Sequence, residues 1–268
     1  MKCIIATVLS VLSFTANAQS TMYIELVGGK RMEIPVSSVE SISWETVTPS
    51  GSVSSEVQAV DLGLDSGTKW ANMNIGATSP EESGDYFAWG ETVGYKGVER
   101  NFSEENYRFY LSAKVPDPDG FDVLKQGYTK YVVESFALEL GYDGFYDDKT
   151  LLEAQDDAAT ANWGDSWRMP TLDEMFELFK YCTWTWTALK DQPGYKVTGP
   201  NGNFIFLPAV GERQGWALLN SQTRGWYATS TLGVASSELL RGLSFSATNV
   251  GIGNNARFNG VTIRAVCK

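Results

Sequence analysis

The chain has 268 residues, 43% of them apolar and 13% aromatic, enough to bury a sizeable core in a domain of about 200 residues. A formal net charge of −11, with no cluster of Lys and Arg, disfavours nucleic acid and anionic membrane surfaces as partners. The absence of histidine removes Ser-His-Asp and Cys-His catalysis, the usual zinc sites and the commonest general base, leaving carboxylate, lysine, tyrosine or cysteine chemistry.

At the start, Lys2 precedes an apolar run from Ile4 to Phe14, and Ala16-Asn17-Ala18 supplies a small-x-small cleavage pattern. Residues 1–18 are therefore expected to be a signal peptide, and the protein to be exported to the periplasm, the outer surface or the medium. The apolar run is too short to span a bilayer and no later run is long enough, so no membrane insertion is expected. Cys3 lies before that run rather than after it, where a lipid-attachment cysteine would sit. Loss of Lys2 with the leader takes the charge to −12, since residues 1–18 hold no acid. Cys182 and Cys267 are then the only cysteines, and two thiols in an oxidising compartment usually pair. Such a bridge would stabilise by roughly 4 to 5 kcal/mol in the chain-entropy model.

Residues 22–45 alternate with period two at Tyr23, Glu25, Val27 and at Met32, Ile34, Val36, around Gly28-Gly29, a two-residue hairpin signal. With a third strand at 39–44 they make a small β unit over 19–48, too small to stand alone and suited to an assembly partner that adds a strand. Residues 49–57, rich in Ser, Gly and Pro, read as a linker, and the main domain runs from 58 to 268. Within it, 93–150 is long, charged and tyrosine-rich, with one helical patch at 132–140, and is expected to be a surface insertion. Residues 151–161 favour a short helix. A second helix opens on the Thr171-x-x-Glu174 capping box and should bury Leu172, Met175, Phe176, Leu178, Phe179 and Cys182. Short strands are expected at 194–198, 203–207, 226–231, 239–244 and 261–266. Two helices followed by many short antiparallel strands make the class α+β.

Several blocks in order carry a resemblance: Val60-Asp61-Leu62-Gly63-Leu64, Gly84-Asp85-Tyr86-Phe87-Ala88-Trp89-Gly90-Glu91, Asp156-Asp157-Ala158-Ala159, Trp167-Arg168-Met169-Pro170-Thr171, Ile205-Phe206-Leu207-Pro208-Ala209 and Ile263-Arg264-Ala265-Val266-Cys267. Across residues 58–268 the chain resembles the Fibrobacter succinogenes major paralogous domain family, found in exported proteins of Bacteroides-type bacteria. That family is similar to the C-type-lectin-like fold shared with formylglycine-generating enzymes and with the variable receptor-binding proteins of diversity-generating retroelements. The resemblance implies a C-type-lectin-like domain in which Trp167, Arg168, Thr171 and Glu174 are structural. It also implies a disulfide from Cys182, at a helix end, to Cys267, in the last strand.

Arg168 with Asp165, Asp173 and Glu174 could be an acid/base set, but the capping box accounts for Glu174 and the helix dipole for Asp173, so no catalytic residue is assigned. Asp156 and Asp157, with Asp147, Asp148 or Glu153, could hold a hard cation. No metal is assigned, because adjacent helical residues diverge and the lectin calcium signatures Glu-Pro-Asn and Trp-Asn-Asp are absent, which leaves calcium open and no cofactor expected. The ligand-binding candidates lie in 211–259: Arg213, Trp216, Arg224, Trp226, Tyr227, Asn249, Asn254, Asn255 and Arg257, aromatics and amides among Gly-rich loops. For each residue singly, a place in a strand or turn competes with recognition. The expected function is a non-catalytic, surface-exposed binding or adhesion module for a glycan or protein. The alternatives are a formylglycine-generating type of enzyme and a structural subunit of a surface appendage.

Overall fold

The computed structural model describes residues 21–26, 30–35 and 57–268 apart from residue 234. The expected leader at 1–18, the third strand at 39–44 and the linker residues 49–56 lie outside the described residues. The chain divides into two compact units, residues 1–53 and 54–268.

In the first unit β1 (Thr21–Leu26) and β2 (Lys30–Pro35) form an antiparallel hairpin. Its register pairs Leu26 with Lys30, so the connection spans residues 27–29 and is one residue longer than the Gly-Gly pair.

The second unit is α+β. It opens with β3 (Ala59–Asp61) and β4 (Lys69–Ala71), an antiparallel pair joined by a turn. The hairpin β5 (Tyr110–Pro116) and β6 (Asp122–Tyr128) and the short helix α1 (Ala137–Leu140) follow, all inside the stretch expected to be a surface insertion. That expectation is corrected. Phe102, Tyr107, Phe109, Tyr128, Tyr131 and Val132 are buried in the main core, so the segment supplies much of that core's aromatic mass. Alternation is hidden there because its buried rings lie on turns and strand ends rather than along one strand.

A single helix was expected at 151–161. The chain instead makes a 3-10 turn at 154–156 and then α2 (Ala158–Trp163), with Asp157 as its N-cap accepting from the amides of Ala159 and Thr160. Helix α3 (Leu172–Tyr181) has the full capping box, with Thr171 and Glu174 each receiving the other's backbone N–H. Met175 and Leu178 are buried, whereas Phe176 and Phe179 are exposed, against expectation. At 3.6 residues per turn, Phe176 lies about 100° round the helix from Met175, outside the narrow stripe that meets the body.

Beyond α3, the strands β7 (Thr183–Leu189), β8 (Gln192–Thr198) and β9 (Phe204–Pro208) form an antiparallel meander. A small hairpin, β10 (Glu212–Gln214) and β11 (Ala217–Leu219), precedes a second meander of β12 (Arg224–Leu232), β13 (Leu239–Ser246) and β14 (Asn249–Ala256). The expected strand at 261–266 is realised only at its end as β15 (Val266–Cys267), which pairs with β4. Residues 261 and 262 make isolated bridges to Phe87 and Tyr227 instead, weaving the last segment between elements. Strands β7, β10, β11 and β14 were not anticipated. The Gly and Asn content of β14 resembles turn sequence, yet it pairs along its whole length with β13.

The core has two lobes. One gathers the 86–89 segment, the 102–132 aromatics, Trp167, Trp226 and Ile263; the other gathers Leu62, Trp70, Met175, Leu178, Tyr195, Tyr227 and Phe245. Arg264 ties the closing segment to the rest. It is fully buried and donates to Asn74 Oδ1 at 2.9 Å and to the carbonyls of Ala71 and Phe206 at 3.1 and 2.8 Å. Burial lowers its pKa to about 10.

Candidate functional site

The turn at residues 81–86 depends on Gly84. Its φ is +68°, and a Cβ there would lie 2.2 Å from the Ile75 carbonyl, which accepts the amide of Asp85 at 2.8 Å. Just past the turn, Tyr86 is buried and its hydroxyl donates to the Val210 carbonyl at 2.6 Å. Desolvation pushes the phenol up to about 12, so it stays a hydrogen-bond donor at neutral pH.

Between this turn and the β10–β11 hairpin lies a cleft of about 560 Å³. Its lining includes Glu81, Glu82, Gly84, Tyr86 and Lys96 from the first part of the unit and Gln192, Val210, Leu218 and Ser221 from the second. These residues come from two segments about a hundred positions apart, so no local pattern marks them as one site. Of them, Gly84 and Tyr86 belong to a block singled out for its family pattern, and Leu218 and Ser221 lie within the 211–259 stretch expected to hold the ligand site, though neither is among its named candidates.

Arg213 acts behind the cleft. It is buried, lies over the Tyr86 ring at 5.1 Å, and donates to the Lys96 carbonyl at 2.6 Å, holding two lining residues together. Its backbone exchanges hydrogen bonds with Gly260 at 2.7 and 2.9 Å, and Gly215 does the same with Phe102 at 2.9 Å both ways. The hairpin is therefore pinned along β10 and at its turn, and that two-residue turn presents Trp216 with 59% of its surface exposed.

The nine candidate ligand-binding residues are not brought into one site. Trp216, Arg224, Asn249 and Asn254 are exposed. Asn249 lies at the β13–β14 turn opposite Ser246, and Asn254 accepts from Arg241 at 3.2 Å. The other five are buried, which corrects their assignment to recognition loops. Tyr227 donates to the Pro208 carbonyl at 2.8 Å, and Trp226 packs beside Gly242 and Gly253. Asn255 donates to the buried carboxylate of Glu212 at 2.5 Å and accepts from Asn259 at 2.8 Å.

Arg257 is wholly enclosed. Its guanidinium lies 4.4 to 5.6 Å from the rings of Trp89, Tyr107 and Tyr128 and donates to the Tyr107 hydroxyl and the carbonyls of Lys130, Tyr131 and Ser237. It anchors the 93–150 segment to the last strands, a structural task.

The carboxylates weighed for catalysis or a cation have other partners. Glu174 receives Arg168 through both guanidinium nitrogens at 2.7 and 2.5 Å, the Thr171 amide, and Thr68 Oγ1 at 2.9 Å. Burial pushes its pKa up, but these hydrogen bonds and the Arg168 charge prevail and hold it at about 2. Asp165 and Asp173 are exposed. Asp156 is buried against Lys130 at 2.5 Å and the Tyr131 hydroxyl at 2.6 Å, Glu153 bridges Lys130 and Lys149, and Asp147 accepts the amides of Tyr131 and Val132. Trp167 packs edge-on against Trp163 at 5.4 Å, as a buried support for the loop.

The expected disulfide is absent: Cys182 and Cys267 are both free, half-buried thiols. Cys267 pairs with Lys69, beside Thr68, which bonds Glu174 in the first turn of α3. Cys182 caps the far end of that helix, eight residues beyond Glu174. They pack against different lobes of the core.

Comparison with family models, curated proteins and solved structures finds no match.

Proposed function

We propose that the chain is an exported, non-catalytic binding module that recognises a glycan or a protein at the cell surface. The observation that carries it is the β10–β11 hairpin, pinned through β10, which presents Trp216 exposed at its turn and puts Leu218 into the lining of a polar cleft. A rigid aromatic next to adaptable amides and hydroxyls provides affinity at low entropic cost. The leader pattern supports export, and the closure of the unit's first strands by its last strand supports a C-type-lectin-like fold. Against thiol chemistry of the formylglycine-generating type, burial raises the pKa of Cys182 to about 11 and that of Cys267 also, so neither is a ready thiolate at neutral pH.

The test is an array of glycans and cell-surface proteins probed with the full chain. A ligand whose binding falls at least tenfold on Trp216→Ala supports the proposal. Binding that the substitution leaves unchanged moves the site elsewhere, and no ligand of either class defeats it.

A second reading has its own observation: the described strands of the first unit are a bare two-stranded hairpin, which is marginal in water without another strand. Addition of a partner's strand would complete it, as in an assembly subunit. Deletion of 19–48 should then abolish incorporation while leaving ligand binding intact; unchanged incorporation rejects the reading.

A further inference from the structure

The groups that face the cleft are mainly acceptors. Gln192 spends its Nε2 hydrogens on the carbonyls of Pro193 and Ala209, both at 3.1 Å, which leaves its amide oxygen to accept. Glu81 binds Lys190 through Oε1 at 2.7 Å and its Oε2 is enclosed, so it holds the wall rather than meeting a ligand. The carboxylate of Glu82 receives the amide and hydroxyl of Thr78 at 2.8 to 3.0 Å and keeps further lone pairs. Donors are fewer, chiefly Lys96 and the Ser221 hydroxyl.

Charge around the cleft nearly cancels. Glu81 is matched by Lys190, and Lys96 acts on the neighbouring Asp85. An anionic ligand would meet carboxylates, and a cationic one would find the buried acid already paired. The remaining exposed apolar surface is chiefly Leu218, since Tyr86 and Val210 line the cleft but are buried, and Trp216 lies two residues along the hairpin. A volume of about 560 Å³ falls within the range of small-ligand sites.

We propose that this cleft binds a neutral, polyhydroxylated ligand, a carbohydrate unit whose hydroxyls donate to Gln192 and Glu82 while its C–H face lies on the exposed Leu218. The proposal rests on the recognition function above and assigns it a ligand class. Arg213 is the positioning residue, since it fixes both the Tyr86 ring and the Lys96 backbone.

The experiment presents the full chain to an array of neutral, amino-substituted and sialylated oligosaccharides alongside cell-surface proteins. Binding should favour the neutral set. It should weaken at least tenfold in Gln192→Ala and in Leu218→Asp, several-fold in the mild surface change Ser221→Ala, and not at all in Phe176→Ala on α3. Melting temperatures near the parent's separate lost contacts from lost folding, and Ser221→Ala serves if a larger change unfolds the protein. Preference for charged oligosaccharides, or neutral binding indifferent to all three cleft substitutions, overturns the carbohydrate assignment. Binding of proteins alone overturns it while leaving the recognition function standing, and no binding of any kind removes both.

Discussion

Arg257 and Glu174 show how one charged side chain can be misjudged or judged well from its neighbours in sequence. Arg257 sits among Gly and Asn and was expected at a recognition loop, yet it is fully buried with its donors on three backbone carbonyls and a phenol. Arg257→Met keeps much of the volume but strips the donors from those carbonyls. At about 1 to 3 kcal/mol per buried group left unpaired, partly offset by the relief of burying a charge, we expect a loss of about 3 to 5 kcal/mol, read by urea denaturation. Glu174 was placed correctly, because a capping box is an i, i+3 relation that needs no tertiary knowledge. Its folded pKa of about 2 lies below the ordinary 4.5, so its contribution is fully present above about pH 4.5 and is lost as pH falls towards 2. With screening at the partly exposed Arg168 allowed for, that contribution is about 2 kcal/mol. Denaturation midpoints across this window should fall less steeply in Glu174→Gln; an identical acid limb would show that the carboxylate is not held as described.

For elements, local pattern was informative where one face meets the body and misleading where composition mimics a turn. Helix α3 was recognised from its cap and spacing, but the width of its buried stripe depends on what packs against it, so Phe176 and Phe179 were misassigned. Strand β14 was missed because Gly251, Gly253, Asn254 and Asn255 carry turn signals, overridden by eight consecutive pairs with β13. The turn at Gly84 makes a sharp prediction at this scale. Gly84→Ala places a methyl in a left-handed conformation and against the Ile75 carbonyl, so a loss of more than 2 kcal/mol is expected, on the order of the costs of strained backbone. Thermal melting measures it, and a melting temperature equal to the parent's would contradict the turn geometry. The two free cysteines give another. Residues 19–268, unfolded in guanidinium without reductant, should titrate two thiols, and the native protein should react slowly at Cys182, whose pKa of about 11 leaves little thiolate at neutral pH. No titratable thiol in the unfolded chain would restore the bridge.

At the scale of the whole molecule, the second unit is closed by its own end. Val266 exchanges backbone hydrogen bonds with Arg168 at 3.0 and 2.9 Å, β15 pairs with β4, and Arg264 donates to segments 190 and 58 residues away. Truncation after Ile263 should therefore cost the unit its cooperative fold, seen as loss of a sharp thermal transition and rapid proteolysis. A truncated chain that still melts sharply would show that closure is dispensable. By itself, the sequence determined the α+β class, the capping box and most strands of the two meanders, because these follow from hydrophobic periodicity and i, i+3 chemistry within a few residues. Tertiary structure alone decided which arginines are buried, that the cysteines are unpaired, and that Glu81, Tyr86, Gln192 and Leu218 share a cleft. Those outcomes depend on contacts between segments a hundred or more residues apart, where burial and partner geometry, not residue type, set the role of each side chain.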